Sequence, residues 1–308
     1  MLASLVFPGP AFEELDDVEL LTGPLTDVIR SKRTDVEALA VVHEVVDDRT
    51  LDRLPALRIV ANFGVGYDGI DVAACAARGV PVTNTPGVLD AATADLTFSL
   101  VLATRRRLVE GDELVRRGTW PSGVDRFLGA DVSGATMGLV GLGRIGRAVA
   151  RRARAFDMRI LYTKRTRLSD DEEQKLGVEY RELDGLLSEA DVVSVHVPLE
   201  GGTEGLIDAR RLALLREGAC LVNTSRGPVI DEPALVEALA AGSISAGLDV
   251  FADEPHVPER LLGLPNVVLA PHIGSATVRT REAMTRVLVD NLLAAADGRS
   301  PPTRVSAT

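Results

Sequence analysis

The sequence predicts an α/β protein built on parallel sheets and divided into two domains. Three observations carry this. Short apolar segments alternate with helix-forming segments along the chain, the pattern of βαβ units. The apolar segments are continuous rather than alternating, so both faces of each sheet are covered. The chain has 308 residues, long for a single core.

Taken in order, the first part offers the strands "ASLVF", "ALAVVH", "LRIVANFG" and "PVTNT". Helices or helical turns are expected at Phe12–Asp16, Leu25–Ser31, Leu51–Leu54 and Val72–Arg78. The stretch Val88–Arg117 is rich in Ala and Leu, with Leu96, Leu100 and Ala103 at helical spacing, and reads as one or two long helices. Arg105–Arg107 suit a helix C-terminus, where cations meet the negative end of the dipole. Such a helix between domains is a place for a hinge or a dimer contact. The second part offers "TMGLVG", "RILYT", "DVVSVHVP", "CLVNTS", "AGLDVF" and "NVVLAPH", separated by helices at Ile145–Phe156, Ala209–Leu215 and Glu232–Ala241. The polar, Pro-containing tail "DGRSPPTRVSAT" is expected to fray.

Composition narrows the function. A net charge of −11 repels phosphate backbones and anionic lipid, so neither nucleic acid nor membrane is an expected partner. Two distant cysteines, Cys75 and Cys220, make no disulfide framework and no metal-ligand spacing. No apolar run reaches spanning length, and "MLASLVFPGP" lacks the basic start of a signal peptide. A cytoplasmic protein without a metal is expected.

"GLVGLGRIG" places Gly141, Gly143 and Gly146 directly after a strand and at the start of a helix. In that context the three glycines form a dinucleotide site: a tight turn, a close backbone approach to pyrophosphate, and close helix–strand packing. The helix start offers free amides and a positive dipole end. In NAD sites an acidic residue about twenty positions on binds the adenosine ribose. Here that place falls in "LYTKRTR", with Thr163, Lys164, Arg165 and Thr166 and no carboxylate. Arg165 and Lys164 suit a 2′-phosphate, with Thr163 or Thr166 donating a hydroxyl. NADP(H) is therefore expected over NAD(H), with Arg165 as the main anchor.

Three further groups stand at C-terminal strand ends, where open α/β sheets gather ligands: Arg226 in "LVNTSRGPVID", Asp249 and Glu254 in "AGLDVFADEP", and His272 in "LAPHIGSAT". Reduction of a 2-oxo acid needs a cation for the carboxylate, a proton donor for the carbonyl and a hydride. Arg226 can grip the carboxylate. His272 can deliver the proton near neutral pH. Glu254 can orient His272. Of the four histidines, His196 lies mid-strand, His256 lies on a loop and His43 is ambiguous. Only His272 ends a strand before a Gly-containing turn.

At these residues the chain resembles the D-isomer-specific 2-hydroxyacid dehydrogenases, from about Ala38 to Thr277. The matching motifs are "NFGVGYDGID", "NTPGVLDAATAD", "GLVGLGRIG", "SVHVPLEGGTEGLID", "VNTSRGPVIDEPALVEAL", "GLDVFADEP" and "PHIGSAT". The resemblance implies two doubly wound domains with the cleft between them. One is a discontinuous, flavodoxin-like substrate domain, residues 1–87 and 276–308. The other is a Rossmann cofactor domain, residues 88–275. It implies that the backbone amides of Val65 and Gly66 bind the substrate carboxylate, and that Arg226, Glu254 and His272 are the substrate arginine, its acidic partner and the acid/base. It places Thr93, the loop Gly143–Arg144–Ile145, Val197, Pro198, Thr224 and Asp249 along the cofactor, with Asp249 at the nicotinamide carboxamide; Gly274 is expected as a small residue where the nicotinamide passes. It implies a homodimer.

"YTKRTR", "PHIGSAT" and Trp120 look most like the glyoxylate/hydroxypyruvate reductases, where this aromatic reaches toward the partner's substrate site. "VVHEVVDD" carries His43 but no Lys or Arg, which disfavours a phosphorylated substrate. The expectation is reduction of glyoxylate or hydroxypyruvate to the D-2-hydroxy acid. The alternatives are the same chemistry on 2-ketogluconate or another 2-oxo acid, and a cofactor-sensing binding protein, which would tolerate loss of the three groups kept here. Formate enzymes on this fold carry a glutamine beside the catalytic histidine that this chain lacks.

Overall fold

The computed structural model describes residues 1–120 and 127–306. The chain forms two units, Met1–Leu89 joined by Ser275–Thr308, and Asp90–Gly274. Each has its own parallel sheet.

The first unit holds five strands: β1 (Leu2–Ala3), β2 (Glu19–Leu20), β3 (Ala38–Val41), β4 (Ile59–Asn62) and β5 (Val82–Thr83). They lie in the order β2-β1-β3-β4-β5, all pairs parallel. Its core gathers Leu2, Leu39, Val41, Val60 and Val82 with Leu25, Leu51 and Cys75 from the covering helices. The helices that carry Leu51 and Cys75 start where the sequence supplies caps: Asp47 accepts from Thr50 N and Asp71 from Ala74 N. The helix expected at Phe12–Asp16 is a 3₁₀ turn, Pro10–Glu14. Strand β2 was not expected, because two exposed residues carry no apolar pattern.

The chain returns to this unit as the helix Val278–Ala296, capped by Thr277 and tied to the sheet by Arg58 Nη2 donating to Ala295 O at 3.1 Å. The tail corrects the expectation of fraying. Arg304 bridges Thr83 in antiparallel sense and Val305 N donates to Val82 O at 2.8 Å. Strand β5 is a sheet edge, and the tail satisfies backbone groups that edge would leave unpaired.

The second unit holds β6 (Thr136–Val140), β7 (Arg159–Thr163), β8 (Glu179–Tyr180), β9 (Val192–Val195), β10 (Cys220–Asn223), β11 (Ser245–Leu248) and β12 (Val267–Leu269). Their order is β12-β11-β10-β9-β6-β7-β8, again parallel throughout. The strand order reverses between β6 and β9, which makes the C-terminal ends of those strands a ligand crevice. Alternate side chains feed two cores: Ile160, Tyr162 and Val192 on one face, Leu161, Val193 and Val195 on the other. Two strand glycines let helices approach. A Cβ on Gly138 would meet Leu186 at 2.6 Å, and one on Gly247 would meet Leu100 Cβ at 2.8 Å. The short edge strand β8 was not expected, because two residues, of which only Tyr180 is partly buried, carry no apolar pattern.

The stretch 88–117 is two helices, Asp90–Arg105 and Leu108–Arg116, broken at Arg107, whose φ is 51°. The first packs on β10 and β11. The second buries no residue and leaves Leu108, Val109 and Val115 more than half exposed.

Candidate active site

The glycine loop sits at the end of β6. Gly141 has φ 98°, and a Cβ there would lie 2.6 Å from His196 O. A Cβ on Gly146 would lie 2.4 Å from Gly141 O. Neither position tolerates a side chain, for reasons internal to the fold. Gly143 is different: it caps the helix Arg144–Ala155, no side chain caps that helix, and a Cβ on it would meet nothing within 4 Å. A glycine with open space at an uncapped helix start leaves room for a pyrophosphate against free amides. The residues present fit a dinucleotide. Val197 borders the loop, its Cγ1 3.0 Å from a Cβ on Gly141, and exposed Pro198 follows. The His196 ring meets Ser194 Oγ at 2.8 Å, and burial pushes its pKa down to about 4. It is a neutral packing residue beneath the loop.

Beyond β7, Thr163 and Lys164 are half-buried, and Arg165 and Thr166 are exposed. The Arg165 guanidinium pairs with Glu200 at 2.9 Å. Arg167 is engaged locally by Glu173, which also accepts from Tyr162 Oη at 2.6 Å.

A third group gathers at the ends of β10, β11 and β12. Asp249, buried at 1% exposure, accepts Ile273 N at 2.7 Å on Oδ1 and Gly274 N at 2.8 Å on Oδ2, while its carbonyl takes His272 N at 2.9 Å. Burial pushes its carboxyl above the usual carboxylate range, against the pull of the two amides. Gly274 lies over Asp249 and Thr93, a Cβ there being 3.2 Å from Asp249 Oδ2 and 3.5 Å from Thr93 Cγ2. Thr97 joins the set, its hydroxyl 2.9 Å from that of Thr224 and donating to Thr93 O. Thr93, Thr224, Asp249 and Gly274 thus form one cluster.

His272 has φ 51°, uncommon for a residue with a side chain. Its Nδ1 lies 2.6 Å from Glu254 Oε2, and Glu254 Oε1 accepts Phe251 N at 3.0 Å. Both carboxylate oxygens are therefore committed, one to the backbone and one to the ring. This fixes the imidazole through Nδ1, with Nε2 on the opposite edge of the ring. Arg226 begins the turn after β10, with Nη1 donating to Ser225 O at 2.7 Å. Asn223 holds that turn: its Nδ2 donates to Arg226 O at 2.8 Å, and its Oδ1 accepts Ser225 N and Oγ.

Gly227 follows Arg226 in that turn. The reason for a glycine is proximity: a Cβ there would lie 2.0 Å from the carbonyl carbon and oxygen of Phe251. Through that contact the Arg226 turn packs on the backbone that donates to Glu254. Sequence reading also passed over Asn223 and Thr97. An Asn just before a Ser-Arg-Gly-Pro turn is a signal for side-chain bracing of the backbone. Val65 and Gly66 lie in the first unit, in the loop after β4. Trp120 is 76% exposed. His43 and His256 are exposed, and His256 Nδ1 lies 3.7 Å from Asp253. Among the described residues no cluster of His, Cys, Asp and Glu could hold a metal, and no helix is long and apolar enough to cross a membrane.

A family model described as "D-isomer specific 2-hydroxyacid dehydrogenase, NAD binding domain" matches residues 98–274. A glyoxylate reductase of Thermococcus kodakarensis is 50% identical over 287 residues, covering 91% of this chain and 86% of that one. Among solved structures, the TT0316 protein of Thermus thermophilus superposes with a TM-score of 0.90 at 44% identity, covering 99% of both chains. An NADPH-dependent glyoxylate/hydroxypyruvate reductase of Sinorhizobium meliloti, in complex with NADP and malonate, gives 0.87 at 39% identity, covering 99% of this chain and 95% of that one.

Proposed function

The chain belongs to the D-isomer specific 2-hydroxyacid dehydrogenase family, NAD(P)-dependent oxidoreductases, and on that premise we propose that it reduces glyoxylate or hydroxypyruvate with NADPH, His272 donating the proton. The observation that carries the reading is the fixed His272–Glu254 pair, Nδ1 to Oε2 at 2.6 Å, beside the Arg226 turn. Glyoxylate reductases among the relatives, and the S. meliloti reductase in complex with NADP, support the substrate and cofactor.

A bound nicotinamide nucleotide supplies the hydride. Gly141, Gly143, Arg144, Ile145 and Gly146 hold its pyrophosphate, with Val197 and Pro198 beside them. Thr93, Thr224, Asp249 and Gly274 hold the nicotinamide end. Arg165, with Thr163, Lys164 and Thr166, receives the 2′-phosphate, exchanging its Glu200 partner for a more highly charged one. Val65 and Gly66 donate amides to the substrate carboxylate. Arg226 binds the oxo acid and draws electron density from its carbonyl. His272 Nε2 would give its proton to the carbonyl oxygen, while Glu254 keeps the ring in place and balances its charge. Run backward, with the oxidised nucleotide bound, the same groups would bind a D-2-hydroxy acid and take its hydroxyl proton on His272 Nε2. The exposed Leu108, Val109 and Val115 support a homodimer in which Trp120 reaches the partner's substrate site, and a cytoplasmic location is proposed with it.

The test is steady-state turnover of NADPH and NADH with glyoxylate, hydroxypyruvate and 2-ketogluconate, repeated on Arg165→Ala. The expected result is preference for NADPH and for the two smaller acids, with kcat/KM for NADPH alone falling about tenfold or more in the variant. Equal use of both cofactors by the wild type overturns the NADPH assignment. Turnover of 2-ketogluconate above the other two overturns the substrate.

A further inference from the structure

The loop after β4 is held by side chains that hydrogen-bond only to its carbonyls. Asn62, 3% exposed at the end of β4, donates from Nδ2 to Gly64 O at 3.1 Å and to Gly66 O at 2.8 Å. Asn84, just past β5, donates to Val65 O at 2.9 Å. Thr85 N adds a second bond to Gly64 O at 2.9 Å. The carbonyls of Gly64, Val65 and Gly66 are thus all committed.

In a planar trans peptide the C=O of one residue and the N–H of the next point in opposite directions. Fixing Gly64 O therefore aims Val65 N–H away from Asn62. Fixing Val65 O aims Gly66 N–H away from Asn84. Among the described residues no acceptor takes either N–H. Successive amides held in this way make an anion-binding concavity. Without Asn84 the Val65–Gly66 peptide can rotate and present its carbonyl where its N–H had been, turning attraction for an anion into repulsion.

Asn84 is itself braced. Thr303 Oγ1 donates to Asn84 O at 2.6 Å, Asn84 N donates to Thr303 O at 3.3 Å, and Asn291 on the C-terminal helix bonds Thr303 through Nδ2 at 2.7 Å and Oδ1 at 3.0 Å. The pinned tail is the outer end of this chain of contacts.

We propose that Asn62 and Asn84 are positioning residues for substrate: they hold the Val65 and Gly66 amides toward the substrate carboxylate, with Thr303 as the brace of Asn84. This rests on the reading of those amides as carboxylate donors. It assigns a substrate-binding task to side chains that touch no substrate, and to the end of the chain.

The variants are Asn84→Leu and Asn62→Leu, which keep the side-chain size and remove the donor without adding charge, and Thr303→Val, which loosens Asn84 from outside. The readouts are kcat and KM for glyoxylate, KM for NADPH, and the Kd of oxalate on NADPH-loaded enzyme by titration calorimetry. Losing one or two charge-assisted hydrogen bonds predicts about a 10- to 100-fold rise in KM for glyoxylate and in Kd for oxalate. The value of kcat and the KM for NADPH stay close to wild type. Thr303→Val shifts the same two constants in the same direction by less. A general loss of packing would instead lower the amount of folded enzyme and leave both constants in place. Folded Asn84→Leu and Thr303→Val enzymes with glyoxylate KM and oxalate Kd within about twofold of wild type overturn the proposal, as does a fall in kcat at unchanged KM. If the wild type turns over no oxo acid while Asn84→Leu still weakens oxalate binding, the substrate reading fails and the asparagine-held anion site stands.

Discussion

Replacing Asp249 by Asn tests how the structure keeps His272 in place. The carboxylate accepts two backbone amides, Ile273 N and Gly274 N, one on each oxygen. Asn offers one carbonyl and an NH₂, so one amide keeps its acceptor and the other faces a donor. Gly274 is buried, and a buried N–H without an acceptor costs about 1–3 kcal/mol. His272 sits at φ 51°, a conformation that itself costs about 1–2 kcal/mol for a residue with a Cβ. The two amide bonds are therefore comparable to the strain they oppose. Losing one lets the turn relax and reduces the placed fraction of His272 by about 5- to 150-fold. The assay is kcat with saturating NADPH and oxo acid, alongside the thermal midpoint and KM for NADPH. The expected result is a fall in kcat in that range with the fold retained. A variant with kcat within about twofold of wild type, or one changed only in KM for NADPH, refutes the view that Asp249 acts by holding the turn.

Other consequences follow from the glycine loop and its neighbour. Gly143→Ala should leave the thermal midpoint unchanged, because its Cβ meets nothing, yet raise KM for NADPH about tenfold or more by filling the pyrophosphate's place. Gly146→Ala should instead lower the midpoint, since its Cβ meets Gly141 O at 2.4 Å; equal effects of the two on stability would contradict the assignment. His196, with its pKa lowered from 6.5 to about 4, binds protons more readily unfolded than folded. It contributes stability above pH 6.5 that drains away as pH falls toward 4, up to about 3 kcal/mol. In chemical denaturation between pH 7 and 4.5, His196→Gln should lose less stability than the wild type; equal loss would show that the ring is not held neutral.

Much of this was open to reading because parallel sheets expose their logic in one dimension. Strands buried on both faces are runs such as "DVVSVHVP", and the groups that do chemistry must stand where those runs end. Arg226 and His272 follow such runs closely, and Glu254 lies a few residues beyond one, which is what made them candidates. The glycine loop was legible because a strand ending in such a turn has few other uses. What escaped was set by partners far away in sequence. Strands β2 and β8 are two residues each and exist because a neighbouring edge accepts them. The tail looked free because its composition is polar; the edge of β5 pins it. Gly227 stands beside Arg226 in the sequence, but only the fold reveals Phe251 against it. Asn62 and Asn84 ended strands without distinction, and the carbonyls they hold cannot be read from their own positions.

The role proposed for His272 is delivery of the proton to an oxo acid. Its most direct test is the single-turnover rate of His272→Asn with NADPH and glyoxylate at neutral pH, with cofactor binding measured in the same preparation. The expected rate is lower by about 10²- to 10⁴-fold, with the affinity for NADPH retained. A folded His272→Asn enzyme that keeps most of the wild-type rate would contradict it.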